Sequence, residues 1–205
     1  MKITVKDIFT WMRWPWLRGA LHVYALPGQA LREALVPFHE PIRQVPFCAV
    51  QPAEWFHATV TRLPWFLADP TIPPVADITA AVARAVATLP PFTLQLDGPR
   101  VTEYAVTVDA PASPEWTALV TAIRAAAAEL DPGRELPIPP YAPHISVGYG
   151  IADGDDEVLR EPLAAMTGTG PFPLPVNEVH LLAVQQDPQR GIFCWEPIAA
   201  LPLGG

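Results

Sequence analysis

The sequence lacks the features that define several large classes of protein. It holds only two cysteines, Cys48 and Cys194, and no C-x-x-C pair, so neither a disulfide framework nor a cysteine-rich zinc site is predicted. No run approaches the roughly 20 apolar residues of a membrane-spanning helix, because prolines and charges interrupt every candidate. No secretory segment follows the charged start at residues 1–6. These absences predict a soluble cytoplasmic protein without a membrane partner.

Positive charge is also scarce. Lysine and arginine total 13 against 21 aspartates and glutamates, which gives a net charge of -8. A protein that follows a long polyphosphate backbone needs a basic excess, so long nucleic acid is not an expected partner. Any contact with nucleic acid is therefore expected at a short segment or a terminus, and the sequence predicts no particular protein partner.

The apolar content is high enough for a sizeable core, since half of the 205 residues are hydrophobic. Hydrophobic periodicity and turn residues predict two successive series of helices and strands. The first has strands at 20–26 and 55–62, a short helix between them ending before Pro37, a helix at 77–89, and a hairpin of 92–97 with 101–109. The second series begins with a helix that starts at Ser113, Pro114 and Glu115 and runs to 130. A strand at 144–149, a helix at 155–166, and strands at 176–185 and 191–197 follow it.

Helix, histidine strand, helix, strand, strand thus occurs twice, which predicts an α+β protein with two pseudo-symmetric lobes. We expect residues 20–205 to form this single bilobal domain. Residues 1–19, which are rich in tryptophan, are expected to form an N-terminal arm.

Each of the two histidine strands carries a hydroxyl residue two positions after the histidine. Side chains alternate along a strand, so His57, Thr59 and Thr61 are predicted on one face, and His144 and Ser146 on one face of the other strand. Imidazole titrates near neutral pH, and a hydroxyl donates a hydrogen bond to a phosphoryl oxygen. One such H-x-[ST] match is a weak signal, but two in equivalent elements favour a shared site.

The chemistry expected of this pair is hydrolysis of a phosphate ester. One neutral histidine would take a proton from the attacking oxygen, the other would protonate the leaving oxygen, and Thr59 and Ser146 would hold the phosphate. No metal or other cofactor is required. Which of His57 and His144 is the base stays open at this stage.

These residues resemble the 2H (two-histidine) phosphoesterase superfamily, in particular bacterial proteins described as 2′-5′ RNA ligases or cyclic phosphodiesterases. The matching segments are His57-Ala58-Thr59-Val60 and His144-Ile145-Ser146-Val147, the second introduced by Tyr141-Ala142-Pro143. The resemblance spans about 20–198, without the arm, and departs from the commonest pattern at Ala58 and Ser146. It implies two antiparallel sheets flanked by helices around a central cleft. It also implies hydrolysis of 2′,3′-cyclic phosphates, or making and breaking of 2′-5′ linkages, in RNA or small nucleotides.

Other residues near the motifs have competing interpretations. Tyr24 could stack on a base, although core packing is favoured, and Tyr149 is a candidate only if the strand end turns its hydroxyl toward the cleft. Arg62 alternates away from His57 and is left outside the site unless the strand bulges. His180 is interpreted as structural.

Two rival functions remain at this stage. A non-catalytic module would recognise an RNA end or a nucleotide in the same cleft, with Trp11, Trp14 and Trp16 stacking on bases. A metallohydrolase is disfavoured, since no H-E-x-x-H spacing or third ligand is evident. For the tryptophans themselves, anchoring against the body is favoured over a lid or a partner patch.

Overall fold

The computed structural model describes residues 3–140, 142–166 and 170–204 of the chain. It is an α+β protein with antiparallel sheets, as predicted, but in the described residues both motif strands belong to one eight-stranded sheet, and two further sheets have only two strands each. The strands are β1 (Thr4–Val5), β2 (Ala20–Ala25), β3 (Cys48–Val50), β4 (Ala58–Phe66), β5 (Phe92–Leu96), β6 (Pro99–Val101), β7 (Ala105–Asp109), β8 (His144–Gly150), β9 (Gly154–Asp155), β10 (Phe172–Val176), β11 (Glu178–Asp187) and β12 (Ile192–Pro202). The α-helices are α1 (Ile8–Trp11), α2 (Gln29–Leu35), α3 (His39–Arg43), α4 (Val75–Val86), α5 (Pro114–Leu130) and α6 (Glu157–Ala165).

Eight of these strands form one antiparallel sheet in the order β12-β11-β2-β4-β8-β7-β6, with β3 beside β8. Between β4 and β8 the pairing is reduced to one position, Ala58 opposite Ile145. Each of these two residues directly follows a motif histidine. The narrow junction at the middle of the sheet therefore brings the two motifs side by side.

Helices cover one face of this sheet and enclose the larger of two apolar clusters. Helix α5 packs on β4, α4 packs on α5 and β12, and α3 lies against β3. The N-terminus of α5 forms as predicted, because the Ser113 hydroxyl accepts a hydrogen bond from the Trp116 amide and Pro114 occupies the first turn. The opposite face of the sheet is left for the arm and a cleft.

The arm packs closely on that second face. Asp7 caps α1 by accepting hydrogen bonds from the amides of Phe9 and Thr10. Ile8 and Phe9 are each 7% exposed and belong to a smaller apolar cluster with Tyr149 and Phe193. The anchors are thus Ile8 and Phe9, whereas Trp11 and Trp16 stay largely exposed at 62% and 41%.

The strand predicted around His57 and the hairpin predicted after it both differ from the observed structure. The strand predicted at 55–62 begins only at Ala58, because a 3-10 turn at Ala53–Trp55 precedes it and the Gln51 side chain donates to the Trp55 carbonyl. His57 therefore lies just before its strand and not within it.

The hairpin predicted for 92–97 and 101–109 is wrong. Strand β5 pairs with the distant β10 in a separate two-stranded sheet, while β7 forms its hairpin with the short β6. Leu94 and Leu96 bury one face of β5, and Leu174 opposite Leu94 supplies the matching buried face of β10. This long-range apolar match outweighs the local turn signal at Gly98 and Pro99.

The arm's seat can be tested at Gly150, where a Cβ atom would lie 2.2 Å from the carbonyl oxygen of Lys6. Backbone atoms must move to accommodate it, so Gly150→Ala should lower the free energy of unfolding by about 1 to 3 kcal/mol. The matched control is Gly28→Ala, since nothing lies within 4 Å of the Cβ position there. Urea denaturation of both variants measures the effect, and equal stability of the two would show that the arm is not seated against β8.

Candidate active site

A cleft of about 490 Å³ lies on the sheet face opposite the helices. Both motif histidines and both motif hydroxyls line it, together with aromatic side chains of the arm. The lining residues are Ile8, Trp11, Met12, Trp14, His22, Tyr24, His57, Thr59, Arg62, Thr102, Tyr104, Ala105, Thr107, Ile138, Pro139, Pro140, His144, Ser146, Tyr149 and Phe193. The structure thus gathers all six predicted site residues, His57, Thr59, His144, Ser146, Tyr24 and Tyr149, around one cavity.

The two imidazoles are oriented by the same local hydrogen bond. His57 Nδ1 lies 2.9 Å from the carbonyl oxygen of Trp55, and His144 Nδ1 lies 2.8 Å from that of Ala142. A carbonyl only accepts, so each Nδ1 carries the proton as a donor. The other nitrogen, Nε2, then has a lone pair in the neutral ring and is the atom left for proton transfer at each histidine.

Both motif strands contain a one-residue register shift directly after the hydroxyl residue. On β4, Thr59 is opposite Tyr24 and Thr61 is opposite the preceding Val23, so Val60 is the extra residue of a bulge. On β8, Ser146 is opposite Thr107 and Gly148 is opposite Val106, so Val147 is the extra residue there. Past each bulge the alternation of side chains is reversed.

The bulge on β4 corrects two predictions. Arg62, which simple alternation placed on the other face, lines the cleft. Thr61, which was predicted on the histidine face, is fully buried on the helix side, where Arg124 of α5 donates to its hydroxyl. Arg62 also donates to the carbonyl of Ile138, which ties the proline-rich loop at 131–140 to the cleft.

The equivalent bulge on β8 turns Tyr149 toward the cleft at the position that corresponds to Arg62, five residues after the histidine. Its hydroxyl lies close to the Ser146 side chain. Burial raises the pKa of Tyr149 to about 12, although the nearby Ser146 hydroxyl acts to lower it. The phenol therefore stays protonated beside the serine hydroxyl.

Tyr24 supports the first motif in a similar way. Its ring stacks on the imidazole of His57 with centroids 4.1 Å apart and planes 11° apart. Its hydroxyl lies 2.9 Å from Nδ1 of His22 and is also close to the Thr59 side chain. With 1% exposure, Tyr24 lies behind the histidine and the threonine, and burial raises its pKa well above the usual value.

Aromatic rings enclose His57 on more than one side. The indole of Trp195 lies edge to face against the imidazole, with ring centroids 5.2 Å apart, and only 6% of His57 is exposed. Burial lowers the pKa of His57 to about 4, with a further lowering from His144, while the hydrogen bond to the Trp55 carbonyl acts in the opposite direction. At neutral pH His57 is therefore neutral and able to accept a proton.

Sequence reasoning missed Thr107 as a cleft residue. Its hydroxyl is buried without a hydrogen-bond partner in the described part of the chain, and it lies opposite Ser146 in the sheet. Thr107 reaches the cleft because β7 pairs with β8, and no sequence motif indicates that pairing. His180 lies outside the cleft beside Glu178, as expected of a structural histidine.

Tyr141, which introduces the second motif, lies outside the described residues. Among the residues that are described, no group of three or more His, Cys, Asp or Glu side chains is arranged to hold a metal ion. No helix in the same part of the chain has the length and apolar character to cross a membrane.

The fold and the convergence of two H-x-[ST] motifs on one cleft define a protein of the two-histidine phosphoesterase class. Residues 31–188 match the family model of the 2′-5′ RNA ligase superfamily. The chain belongs to this superfamily. No curated protein matches the chain.

Solved structures share the fold at low sequence identity. TT0787 of Thermus thermophilus is 20% identical with a TM-score of 0.66, and the match covers 91% of this chain and 98% of the other. Escherichia coli LigT complexed with 3′-AMP is 20% identical with a TM-score of 0.61 and the same coverage. LigT complexed with phosphate is 18% identical with a TM-score of 0.60, and the match covers 93% of this chain and 100% of the other.

The burial of His57 makes stability depend on pH. Its folded pKa of about 4 is below the value of 6.5 for an exposed histidine, so below pH 6.5 the unfolded chain binds a proton that the folded chain does not. Linkage then predicts that acidification from pH 7.5 to 5 removes about 2 kcal/mol of stability through this residue alone. His57→Gln should therefore lose less stability over that interval than the wild type in urea denaturation. An identical loss in both proteins would show that His57 is not kept neutral by burial.

Proposed function

We propose that this protein is a phosphodiesterase that opens 2′,3′-cyclic phosphates or 2′-5′ linkages of small nucleotides or RNA termini, with His57 and His144 together forming the acid–base pair. The observation that carries the proposal is the matched orientation of the two histidines. Each is fixed through Nδ1 to a carbonyl two residues earlier, in one cleft and beside a hydroxyl two residues later. Such duplication suits a tetrahedral phosphate held from both sides.

The burial of His57 favours it as the base. Nε2 of the neutral imidazole takes a proton from water while the water oxygen bonds to phosphorus. The P–O3′ bond breaks, and His144, as the acid of the pair, gives its proton to O3′. The product is a 2′-phosphate, and proton exchange with solvent restores both rings. These steps need no metal.

The phosphate would be held by two hydroxyls and one cation. Thr59 and Ser146 donate from the motif strands, each in contact with a buried tyrosine hydroxyl. Arg62 adds a positive charge to the cleft, although the chain as a whole is acidic. A guanidinium has five donors and pairs strongly with phosphate oxygens in a partly dehydrated site.

The cleft volume favours a small substrate. A cavity of about 490 Å³ is in the range of pockets that enclose one small ligand. LigT, which shares the fold, has been crystallised with 3′-AMP, ATP and NADP+. The acidic balance of the chain is also in favour of a mononucleotide or a strand terminus over a long strand.

The proposal extends to the pseudo-symmetry of the two lobes. The correspondence of His57 with His144, Thr59 with Ser146, and Arg62 with Tyr149 supports it, as do the bulges at Val60 and Val147. The side chains at the last pair differ, so the duplicated frame would bind an asymmetric ligand in one preferred direction.

Removal of either histidine should nearly abolish turnover. His57→Ala and His144→Ala should each lower kcat/KM for 2′,3′-cyclic AMP by about 10² to 10⁴ in the presence of chelator. The double variant should be little worse than either single one, because the two groups act in one step. His180→Ala, outside the cleft, is the matched control and should behave as the wild type.

Product analysis by phosphorus NMR should show a 2′-phosphate. Near-wild-type rates in either single variant would exclude the acid and base pair. Nucleotide binding by the wild type with no turnover would favour the non-catalytic module, and loss of activity in chelator would favour a metallohydrolase.

The positive charge of Arg62 should contribute to catalysis in addition to any effect of its contact with the loop. Arg62→Gln is expected to lower kcat/KM by about 10- to 100-fold, since a charged hydrogen bond to a buried anion contributes about 1.5 to 3 kcal/mol. Arg124→Gln is the matched control, because Arg124 donates to the Pro137 carbonyl of the same loop and lies outside the cleft. Comparable losses in the two variants would show that Arg62 only holds the loop.

A further inference from the structure

The arm builds an apolar wall at one side of the cleft. Trp11, Met12 and Trp14 line it, and Ile138 of the proline-rich loop contributes an 81% exposed side chain. The indole of Trp11 lies on the ring of Tyr104 with centroids 4.7 Å apart and planes 26° apart. Since Trp11 is 62% exposed, much of the indole stays open to the cleft and solvent. An exposed indole backed by a second ring is a ready surface for a planar group.

The position of Trp11 is fixed without any ligand. Phe9, two residues earlier, stacks on Phe193 at 5.1 Å and is almost fully buried. On the other side, the Gln186 side chain donates to the Met12 carbonyl at 2.8 Å. A ligand that stacks on Trp11 therefore pays little for ordering the arm, which makes the contact effective.

The wall and the phosphate-binding groups share one cavity. Arg62 connects them, because its guanidinium contacts the sulfur of Met12 at 3.6 Å and also lines the cleft with His57. A ligand that fills both regions must carry a phosphate at one end and a flat, largely apolar group at the other. A nucleotide with its base satisfies both requirements.

We propose that Trp11, backed by Tyr104, is the platform on which the base of the substrate stacks while its phosphate lies between the two histidines. The inference rests on the proposed function and adds to it that a base is part of what the site recognises. Trp11 precedes residues 31–188, the segment that the family model matches. The platform makes the protein selective for cyclic nucleotides over cyclic phosphates that have no base.

The kinetic test compares 2′,3′-cyclic AMP with glycerol 1,2-cyclic phosphate, which has the cyclic ester but no base. Trp11→Ala should raise KM for the nucleotide about tenfold, the effect of losing one base stack, and leave KM for the glycerol ester unchanged. Trp11→Phe should retain most of the wild-type affinity. Trp16→Ala is the matched control, because Trp16 packs on Phe66 and does not line the cleft. An unchanged KM for the nucleotide, or an equal rise for both substrates, would overturn the platform.

A binding experiment separates this inference from the proposed chemistry. If the wild type turns over neither ester, calorimetric titration with 3′-AMP and with inorganic phosphate still tests Trp11. The platform predicts that Trp11→Ala weakens 3′-AMP binding about tenfold and leaves phosphate binding unchanged. Equal weakening of both ligands, or no binding of 3′-AMP to the wild type, would contradict it.

Discussion

The site depends on one backbone constraint that occurs twice, the single-residue bulge after each H-x-[ST] motif. A regular strand would place side chains two and four residues beyond the histidine on its face and the fifth on the opposite face. The bulges at Val60 and Val147 reverse that order, so Arg62 and Tyr149 join the histidine face. Without them the cleft would have its imidazoles and hydroxyls but neither the cation of Arg62 nor the phenol of Tyr149.

The sequence predicted the elements whose signals are local. The cap at Ser113 and the strand that begins at His144 each depend on neighbours within a few residues, and both were placed correctly. It could also be predicted from the sequence that the four motif residues lie around one cleft, because the same motif occurs in equivalent strands of a repeated unit. The beginning of β4 could not, since it depends on the Gln51 side chain, which holds a turn that the sequence does not mark.

The misjudged features share a dependence on partners far along the chain. Arg62 could be placed only with knowledge of the register between β2 and β4, and β5 only with knowledge of β10. The alternation of residues within one strand predicts neither the register nor the partner strand, because a bulge is defined only relative to the opposite strand. Two adjacent buried residues, Val60 and Thr61, are its trace in the structure, but valine followed by threonine is ordinary strand sequence.

Burial divides the two motifs although their backbone frames match. The rings of Tyr24 and Trp195 enclose His57 and lower its pKa, whereas His144 is more accessible at the other side of the junction. Arg62 lies on β4, the strand that follows the buried His57, and the neutral Tyr149 lies on β8, the strand of His144. A duplicated frame thus has one side that favours a neutral imidazole and a cation, and a second side that opens to solvent. In the proposed reaction a cyclic phosphate ester is attacked on one side and broken on the other, and this asymmetry would assign the two proton transfers to different residues.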